Sequence, residues 1–314
     1  MLFWIVTGVI GGLTLLAVGF LVYVVIFYMP IIVKIFEDGQ ILRPPAVGER
    51  LEGEDVTFPA TDGTPLAGVF VKGDEGNGRT ILFCHEYGSD MHSLSKYGKF
   101  LVAKGFNVFA FNFRGHGASR ETNGYEPRQW VTDKEIKDTF GAIRYLQTHP
   151  DVDPDRIGIF GVSRGAGSSI CVASRCDVVK AIVADSAFST ELTLEKYMKK
   201  WVSIYAGVQV IYRNLPDWFY MLLGFICRKV TGRRLKCSFP SVERCARRVA
   251  PRPIYMIYGE NDTYVGMAQA KDLFRRAGDP KDLWIVPGAR HNESVSVAPE
   301  AYAKNVAEFF EKNL

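Results

Sequence analysis

The chain has 314 residues, of which 47% are hydrophobic and 23% are charged, and its formal net charge is +4. These values are those of an ordered globular protein with one large domain and a smaller addition, and they exclude a disordered or low-complexity chain. The charge is unevenly spread, because residues 228–252 carry nine Lys or Arg and a single acid. That segment is therefore +8, which leaves −4 on the rest of the chain.

The first 33 residues contain no Asp, Glu, Lys, Arg or His. A helix of this length exceeds the ~30 Å hydrocarbon core of a bilayer. A secretory signal peptide would need a basic start and a shorter apolar core of roughly 7–15 residues. The sequence therefore predicts a transmembrane anchor over residues 1–33 of a single-pass membrane protein. Because the basic residues Lys34, Arg43 and Arg50 all follow this segment, the positive-inside rule predicts that the following domain faces the cytoplasm.

Residues 34–51 are predicted to form a linker that Pro44 and Pro45 stiffen, and residues 52–314 to form one α/β domain. Two short apolar runs on either side of residues 61–64 indicate a hairpin. After the hairpin, apolar strands alternate with helices, which predicts a mainly parallel sheet with helices on both faces. The predicted strands are residues 80–84, 106–111, 156–160, 180–184, 253–258 and 283–286, and the predicted helices are residues 94–103, 132–146, 267–276 and 299–312.

The segment Gly161-Val162-Ser163-Arg164-Gly165 lies between an apolar strand and a small-residue helix. This is the strand, sharp turn and helix of a nucleophile elbow, in which the serine hydroxyl is exposed above the sheet. The flanking glycines allow the tight bend. The helix that begins at Arg164 points its N-terminal amides at the position where negative charge would develop. The pattern predicts Ser163 as a nucleophile.

Residues 188–250 interrupt the alternation of strands and helices, because this segment has a helical pattern and many aromatic residues. The uncharged run Trp218 to Cys227 has ten residues, which is too short to cross a bilayer, and the basic stretch follows it. We interpret residues 188–250 as a cap insertion over the catalytic end of the sheet, with additional helical core as the alternative. The basic stretch fits either a lid that touches the membrane or a solvated face. No nucleic-acid recognition fold accompanies it, so no nucleic-acid partner is predicted.

None of the six cysteines forms a C-x-x-C pair or lies at metal-ligand spacing with a histidine. The sequence therefore predicts no metal site and no cofactor. Cys84 and Cys171 have the context of small core residues. Reduced thiols are favoured for the others, although pairing among Cys227, Cys237 and Cys245 stays open.

Four motifs occur in one order along the chain: the elbow, residues 113–119 (FRGHGAS), residues 259–262 (GEND) and residues 287–291 (PGARH). Together they resemble a serine hydrolase of the α/β-hydrolase superfamily over residues 52–314. In its general pattern the chain is similar to bacterial membrane-anchored esterases and to the acylaminoacyl-peptidase branch of the superfamily. The resemblance implies an α/β-hydrolase fold and a triad in the order Ser, Asp, His.

Catalytic roles follow from chemistry and from that order. His291, after the last predicted strand, is the candidate base, because an imidazole can accept and return a proton near neutral pH. Asp262 is the candidate acid that would orient the imidazole, with Asp185 and Glu260 as alternatives. His85 and His116 are assigned to the shaping of loops.

The oxyanion hole is expected to use the backbone amides of Tyr87 and Arg164. Glu86 lies beside the first of these, and a carboxylate directed at a developing oxyanion would oppose catalysis. We therefore expect Glu86 to point away, toward Arg114 or Arg164. The side chain of Arg164 has two interpretations, namely contact with a substrate carboxylate and fixation of a neighbouring loop.

The sequence thus predicts a membrane-anchored serine hydrolase that cleaves carboxylic esters through a covalent acyl-serine intermediate. Its partners would be a small acyl ester or lipid-like substrate, and a bilayer contacted by the N-terminal helix and the basic cap. Two alternatives remain: a peptide or amide hydrolase with the same machinery, and a membrane-tethered binding protein with weak catalysis.

Overall fold

The computed structural model describes residues 1–38, 48–74, 77–120, 124–205 and 214–314. Tertiary contacts divide the chain into two compact units. The small unit consists of Met1–Gln40 and Leu194–Lys236, and the large unit of Ile41–Thr193 and Cys237–Leu314. The predicted boundaries at residues 33, 51, 188 and 250 stay predictions, and Pro44 and Pro45 of the predicted linker lie outside the described residues.

The large unit is built on an eight-stranded sheet with the order β1-β2-β4-β3-β5-β6-β7-β8. The first hairpin is antiparallel, β2 pairs antiparallel with β4, and the other neighbours are parallel. The prediction of a mainly parallel sheet with an antiparallel edge is confirmed. The strands are β1 Glu54–Pro59, β2 Pro65–Val71, β3 Thr80–Cys84, β4 Asn107–Phe111, β5 Ile157–Val162, β6 Val179–Asp185, β7 Ile254–Gly259 and β8 Lys281–Val286.

Helices cover both faces of this sheet, as predicted. One hydrophobic cluster joins the sheet to α5, α6, α9 and α10, and another joins it to α3, α4 and α12. Strands β3, β4, β5 and β7 are buried along their whole length, as is typical of a parallel sheet with two covered faces. The helices of this unit are α3 Leu94–Tyr97, α4 Lys99–Ala103, α5 Asp133–Thr148, α6 Arg164–Ala173, α9 Val242–Ala246, α10 Met267–Arg276, α11 Ser294–Val297 and α12 Pro299–Asn313.

The single helix predicted over residues 94–103 is wrong in one respect, because it is interrupted. Gly98 has φ −147° and ψ 8°, outside the helical region, and separates α3 from α4. Glycine has a low helix propensity, since it loses more backbone entropy than other residues. The apolar pattern continues across the break, which explains why the sequence indicated one helix.

The small unit contains α1 Leu2–Phe27, α2 Met29–Asp38 and α8 Asp217–Arg234, together with most of α7 Thr190–Tyr205. Residues Phe3–Phe27 are long and apolar enough to cross a membrane, with a mean hydropathy of 2.6. A removable signal sequence would meet the same criterion. The structure thus supplies the predicted apolar N-terminal helix as a candidate span.

Candidate active site

Ser163 occupies the sharp turn between β5 and α6. Its backbone has φ 51° and ψ −113°, a conformation that non-glycine residues rarely adopt. Its N–H donates to the carbonyl of Asp185 at 2.7 Å, which fixes the turn against the end of β6. The turn also needs its glycines, because a Cβ on Gly165 would lie 2.1 Å from the carbonyl oxygen of Cys84, and one on Gly161 would lie 2.6 Å from the Cα of Ala166.

The structure brings Ser163, His291 and Asp262 into one hydrogen-bonded chain. The Oγ of Ser163 lies 3.0 Å from Nε2 of His291, and Nδ1 of His291 lies 2.7 Å from Oδ2 of Asp262. The other carboxylate oxygen of Asp262 accepts from the amides of Tyr264 and Val265, each at 2.8 Å. The Asp262 side chain is fully buried and that of His291 is 12% exposed. The arrangement can pass a proton from the hydroxyl to a fixed imidazole.

The two alternative acids lie elsewhere. The Asp185 carboxylate is fully buried and accepts from the Tyr302 hydroxyl at 2.6 Å and from Ser186 Oγ at 2.8 Å. Burial raises the pKa of Asp185, and these two donors oppose the rise. Glu260 accepts from the amide of Gly288 at 3.1 Å. Of the three candidates, Asp262 is the carboxylate that hydrogen-bonds His291.

Asp185 instead belongs to a network that holds the residue after His291. The Oγ of Ser186 accepts from the amide of Asn292 at 3.4 Å. The carbonyl of Asn292 accepts from Lys96 Nζ at 3.1 Å and from the Tyr97 hydroxyl at 3.3 Å. Asn292 also has a positive φ of 61°. Sequence reasoning missed Tyr97, Lys96 and Tyr302, and no motif marks them, because they come from helices outside the four motifs.

The Arg164 side chain is buried and is occupied by protein groups. Its Nη1 donates to the carbonyl of Arg128 at 2.9 Å and lies 3.7 Å from Oε1 of Glu135. Its guanidinium carbon is 5.3 Å from the ring centre of Tyr87 and 5.2 Å from that of Phe113. This is the position of a residue that fixes neighbouring loops, which was the second of the two interpretations.

His85 and His116 shape these loops as neutral imidazoles. His85 Nδ1 donates to the carbonyl of Glu86 at 2.7 Å, and its Nε2 accepts from the amide of Phe113 at 3.2 Å. Burial, together with the charge of Arg164, lowers the pKa of His85 to about 3. His116 repeats the pattern, with Nδ1 3.0 Å from the carbonyl of Arg114 and Nε2 3.2 Å from Arg164 Nη2. Burial also lowers its pKa strongly.

The expectation that Glu86 points toward Arg114 or Arg164 is wrong. Glu86 is 2% exposed and its Oε2 accepts from Ser93 Oγ at 3.0 Å. Arg114 is already neutralised, because its guanidinium bonds the carboxylates of Asp138 and Asp62. Burial raises the pKa of Glu86.

The loop that carries Tyr87 lies against the start of α6. A Cβ on Gly165 would meet the carbonyl oxygens of both Cys84 and His85. The Tyr87 hydroxyl donates to the carbonyl of Pro127 at 3.4 Å. The predicted use of the Tyr87 and Arg164 amides as an oxyanion hole stays a prediction.

Among the residues that the structure describes, no group of three or more His, Cys, Asp or Glu is placed to hold a metal ion. All six cysteines are free thiols, including Cys227, Cys237 and Cys245, whose pairing the sequence left open.

Comparison with known proteins shows the family to which the chain belongs. The family model described as the alpha/beta hydrolase family matches residues 81–305, which is more than half of the chain. The chain belongs to the alpha/beta hydrolase family. It is 27% identical over 294 residues to the Escherichia coli K12 protein YfhR, covering 90% of this chain and 87% of YfhR.

The solved structures of two hydrolases share the fold. The Pyrococcus furiosus esterase Pf2001 is 26% identical with a TM-score of 0.61, and the match covers 86% of this chain and 99% of the esterase. The Pyrococcus horikoshii acylaminoacyl peptidase is 20% identical with a TM-score of 0.56, and the match covers 85% of this chain but 42% of the peptidase. The chain is thus similar to a complete esterase and to one part of a larger peptidase.

Proposed function

We propose that this hydrolase cleaves carboxylic esters through a covalent acyl-serine intermediate, while α1 anchors it in a membrane. Ser163 Oγ attacks the ester carbonyl carbon as His291 Nε2 takes its proton, and Asp262 stabilises the imidazolium that forms. The amides of Tyr87 and Arg164 bind the oxyanion. His291 then protonates the leaving alcohol. A water, deprotonated by His291, attacks the acyl carbon. The protonated His291 returns that proton to Ser163 Oγ as the bond between the acyl carbon and Oγ breaks, which releases the carboxylic acid and restores Ser163.

The observation that carries this proposal is the chain of two hydrogen bonds from Ser163 through His291 to Asp262, at 3.0 and 2.7 Å. The buried carboxylate is held by two backbone amides, so the imidazole is oriented before a substrate arrives. Such pre-orientation is what distinguishes an activated serine from an ordinary buried one.

Esters are favoured over amides by the similarity to a whole esterase, whereas the peptidase match covers less than half of that enzyme. Acyl or lipid-like esters are favoured because the candidate anchor, α1, would hold the enzyme at a surface rich in such molecules.

The experiment has two parts. A fluorophosphonate probe should label the wild-type protein and leave Ser163→Ala unlabelled, while Ser174→Ala, which removes a hydroxyl at the other end of α6, keeps its labelling. Rates on p-nitrophenyl esters of increasing chain length should exceed those on p-nitroanilides with the same acyl group. Ser163→Ala and His291→Ala should each lower kcat by roughly 10⁴-fold or more without unfolding the protein.

Each contrary result points to a different function. Faster cleavage of the p-nitroanilides would make the enzyme an amide or peptide hydrolase. A folded wild-type protein that takes no label and cleaves neither series would be a binding protein that keeps the fold.

A further inference from the structure

The small unit contains an apolar groove between α1 and the start of α8. Its volume is about 540 Å³. Ile10, Leu13, Ala17 and Leu21 line one side, and Trp218 and Phe219 line the other. The α1 positions recur at intervals of three and four residues, so they form one face of that helix.

The lining of the groove suits a hydrocarbon chain. None of the residues that line it is charged, and the hydroxyl of Thr14 is occupied by its own helix, since it donates to the carbonyl of Ile10 at 2.8 Å. From Ile10 to Leu21 the helix rises ~16 Å. That length is about half of the ~30 Å hydrocarbon core, which is one leaflet.

The contacts at the two ends of α8 indicate where along the bilayer normal the groove lies. The ring of Phe219 stacks on that of Phe20 at 5.8 Å, while Nε of Arg234 pairs with Glu37 at 3.0 Å. Helix α8 therefore runs from the apolar helix α1 to the polar end of α2. A bilayer core needs about 20 of the 25 residues in Phe3–Phe27, so a core that begins at Phe3 ends near residue 22, and Phe20 then lies near its edge.

The first half of α8 has the composition of a membrane interface. Trp218, Met221 and Phe225 are 63%, 44% and 49% exposed, and their spacing of three and four residues places them on one face. Tryptophan is enriched where the bilayer meets water. The Asp217–Lys199 ion pair, at 2.7 Å, lies at the start of α8 and limits how deeply the helix can enter the core.

We propose that the groove binds one acyl chain of a phospholipid from the leaflet that adjoins α8. With the core beginning at Phe3, the lipid chain lies along α1 from near the middle of the bilayer at Ile10 to the interface at Leu21, and contacts Trp218 and Phe219 from the side. This site rests on the membrane anchoring in the proposed function, but not on the catalytic assignment.

The test uses the full chain in nanodiscs of phosphatidylcholine that contain a photoactivatable phosphatidylcholine, with a diazirine on one acyl chain. After irradiation, mass spectrometry should find lipid adducts on the peptide that includes residues 215–219. Ala17→Trp fills the groove from α1 and should lower the yield of those adducts at least fivefold. Leu16→Trp adds a ring on the exposed face of α1, outside the groove, and should leave the yield unchanged.

Three outcomes would overturn the site: an equal yield in Ala17→Trp and wild type, links between two copies of the chain in place of lipid adducts, or a purified protein that lacks α1. Fluorophosphonate labelling in the same nanodiscs separates this failure from that of the proposed catalysis. Loss of adducts with normal Ser163 labelling rejects the groove alone, whereas adducts without labelling reject the catalytic assignment alone.

Discussion

At the residue scale, the carboxyl group of Glu86 is unusual because it is buried next to the expected oxyanion loop. Its Oε2 accepts a hydrogen bond from Ser93 Oγ, and burial raises its pKa. A raised pKa means that the folded state keeps a proton that the unfolded chain has lost. The free energy of unfolding therefore falls as the pH rises from the pKa of the unfolded chain to the higher pKa of the folded state, by about 1.4 kcal/mol per pH unit. Above the pKa of the folded state, the full penalty of a buried charge is present.

Glu86→Gln should remove this dependence, since an amide of the same shape stays neutral at every pH. We expect the variant to gain stability relative to wild type between pH 5 and pH 8, as measured by urea unfolding. The pH dependence of Asp185 is common to both proteins and cancels in the difference. Glu52→Gln, at an exposed position, is the control and should show no such gain. A Glu86→Gln effect that is equal at both pH values would contradict a desolvated carboxylate.

A second residue-scale prediction separates the two acids. Asp262→Asn should lower kcat by roughly 10⁴-fold, because the amide favours the wrong imidazole tautomer. Asp185→Asn removes a carboxylate bonded to Tyr302 and Ser186 rather than to His291, so its loss in kcat should be far smaller. The measurement is the kcat of both purified variants on one p-nitrophenyl ester, with folding checked by circular dichroism. If the two losses were reversed, the acid role would move to Asp185.

At the element scale, the junction of β5 and α6 leaves no room for a side chain. Gly165→Ala would place a methyl group 2.1 Å from the backbone oxygen of Cys84, which belongs to β3 and cannot rotate away. We expect the variant to lose fluorophosphonate labelling and to unfold at a lower temperature, since overpacking costs about 1–3 kcal/mol or more. Gly266→Ala is the matched control, because nothing lies within 4 Å of its Cβ and its φ is −61°. Normal labelling in Gly165→Ala would contradict the tight junction.

Elements were predictable where local pattern decides them. The core strands are short apolar runs bounded by turn residues, and parallel strands end at one edge of the sheet, so sequence order could predict that Ser163, Asp262 and His291 lie close together. Long-range partners could not be assigned. Tyr302 lies 117 residues from Asp185, and Arg114 is unavailable to Glu86 because Asp62 and Asp138, from separate parts of the chain, bind it first. Local pattern carries no information about such competition.

At the scale of the whole molecule, the basic run of residues 228–252 divides between the two units, since the small unit ends at Lys236. Part of the charge is neutralised within each unit, by Glu37 at Arg234 and by Asp177 at Arg252. Attraction of these residues to an anionic leaflet is therefore weaker than a net charge of +8 suggests, because each remaining basic residue contributes about 1 kcal/mol. Anchoring would depend on α1.

Anchoring by α1 makes a prediction about orientation, because the basic residue Lys34 follows the apolar segment directly. Under the positive-inside rule the C-terminus should lie in the cytoplasm. In Escherichia coli, a C-terminal fusion to a fluorescent protein that folds only in the cytoplasm should be bright, and a fusion to alkaline phosphatase, active only in the periplasm, should be inactive. Three lysines inserted after Met1 reverse the charge bias and should raise phosphatase activity several-fold. An active phosphatase on the wild-type chain would place the hydrolase outside the cytoplasm. The mass of that fusion protein would then show whether α1 is retained as an anchor or removed as a signal sequence.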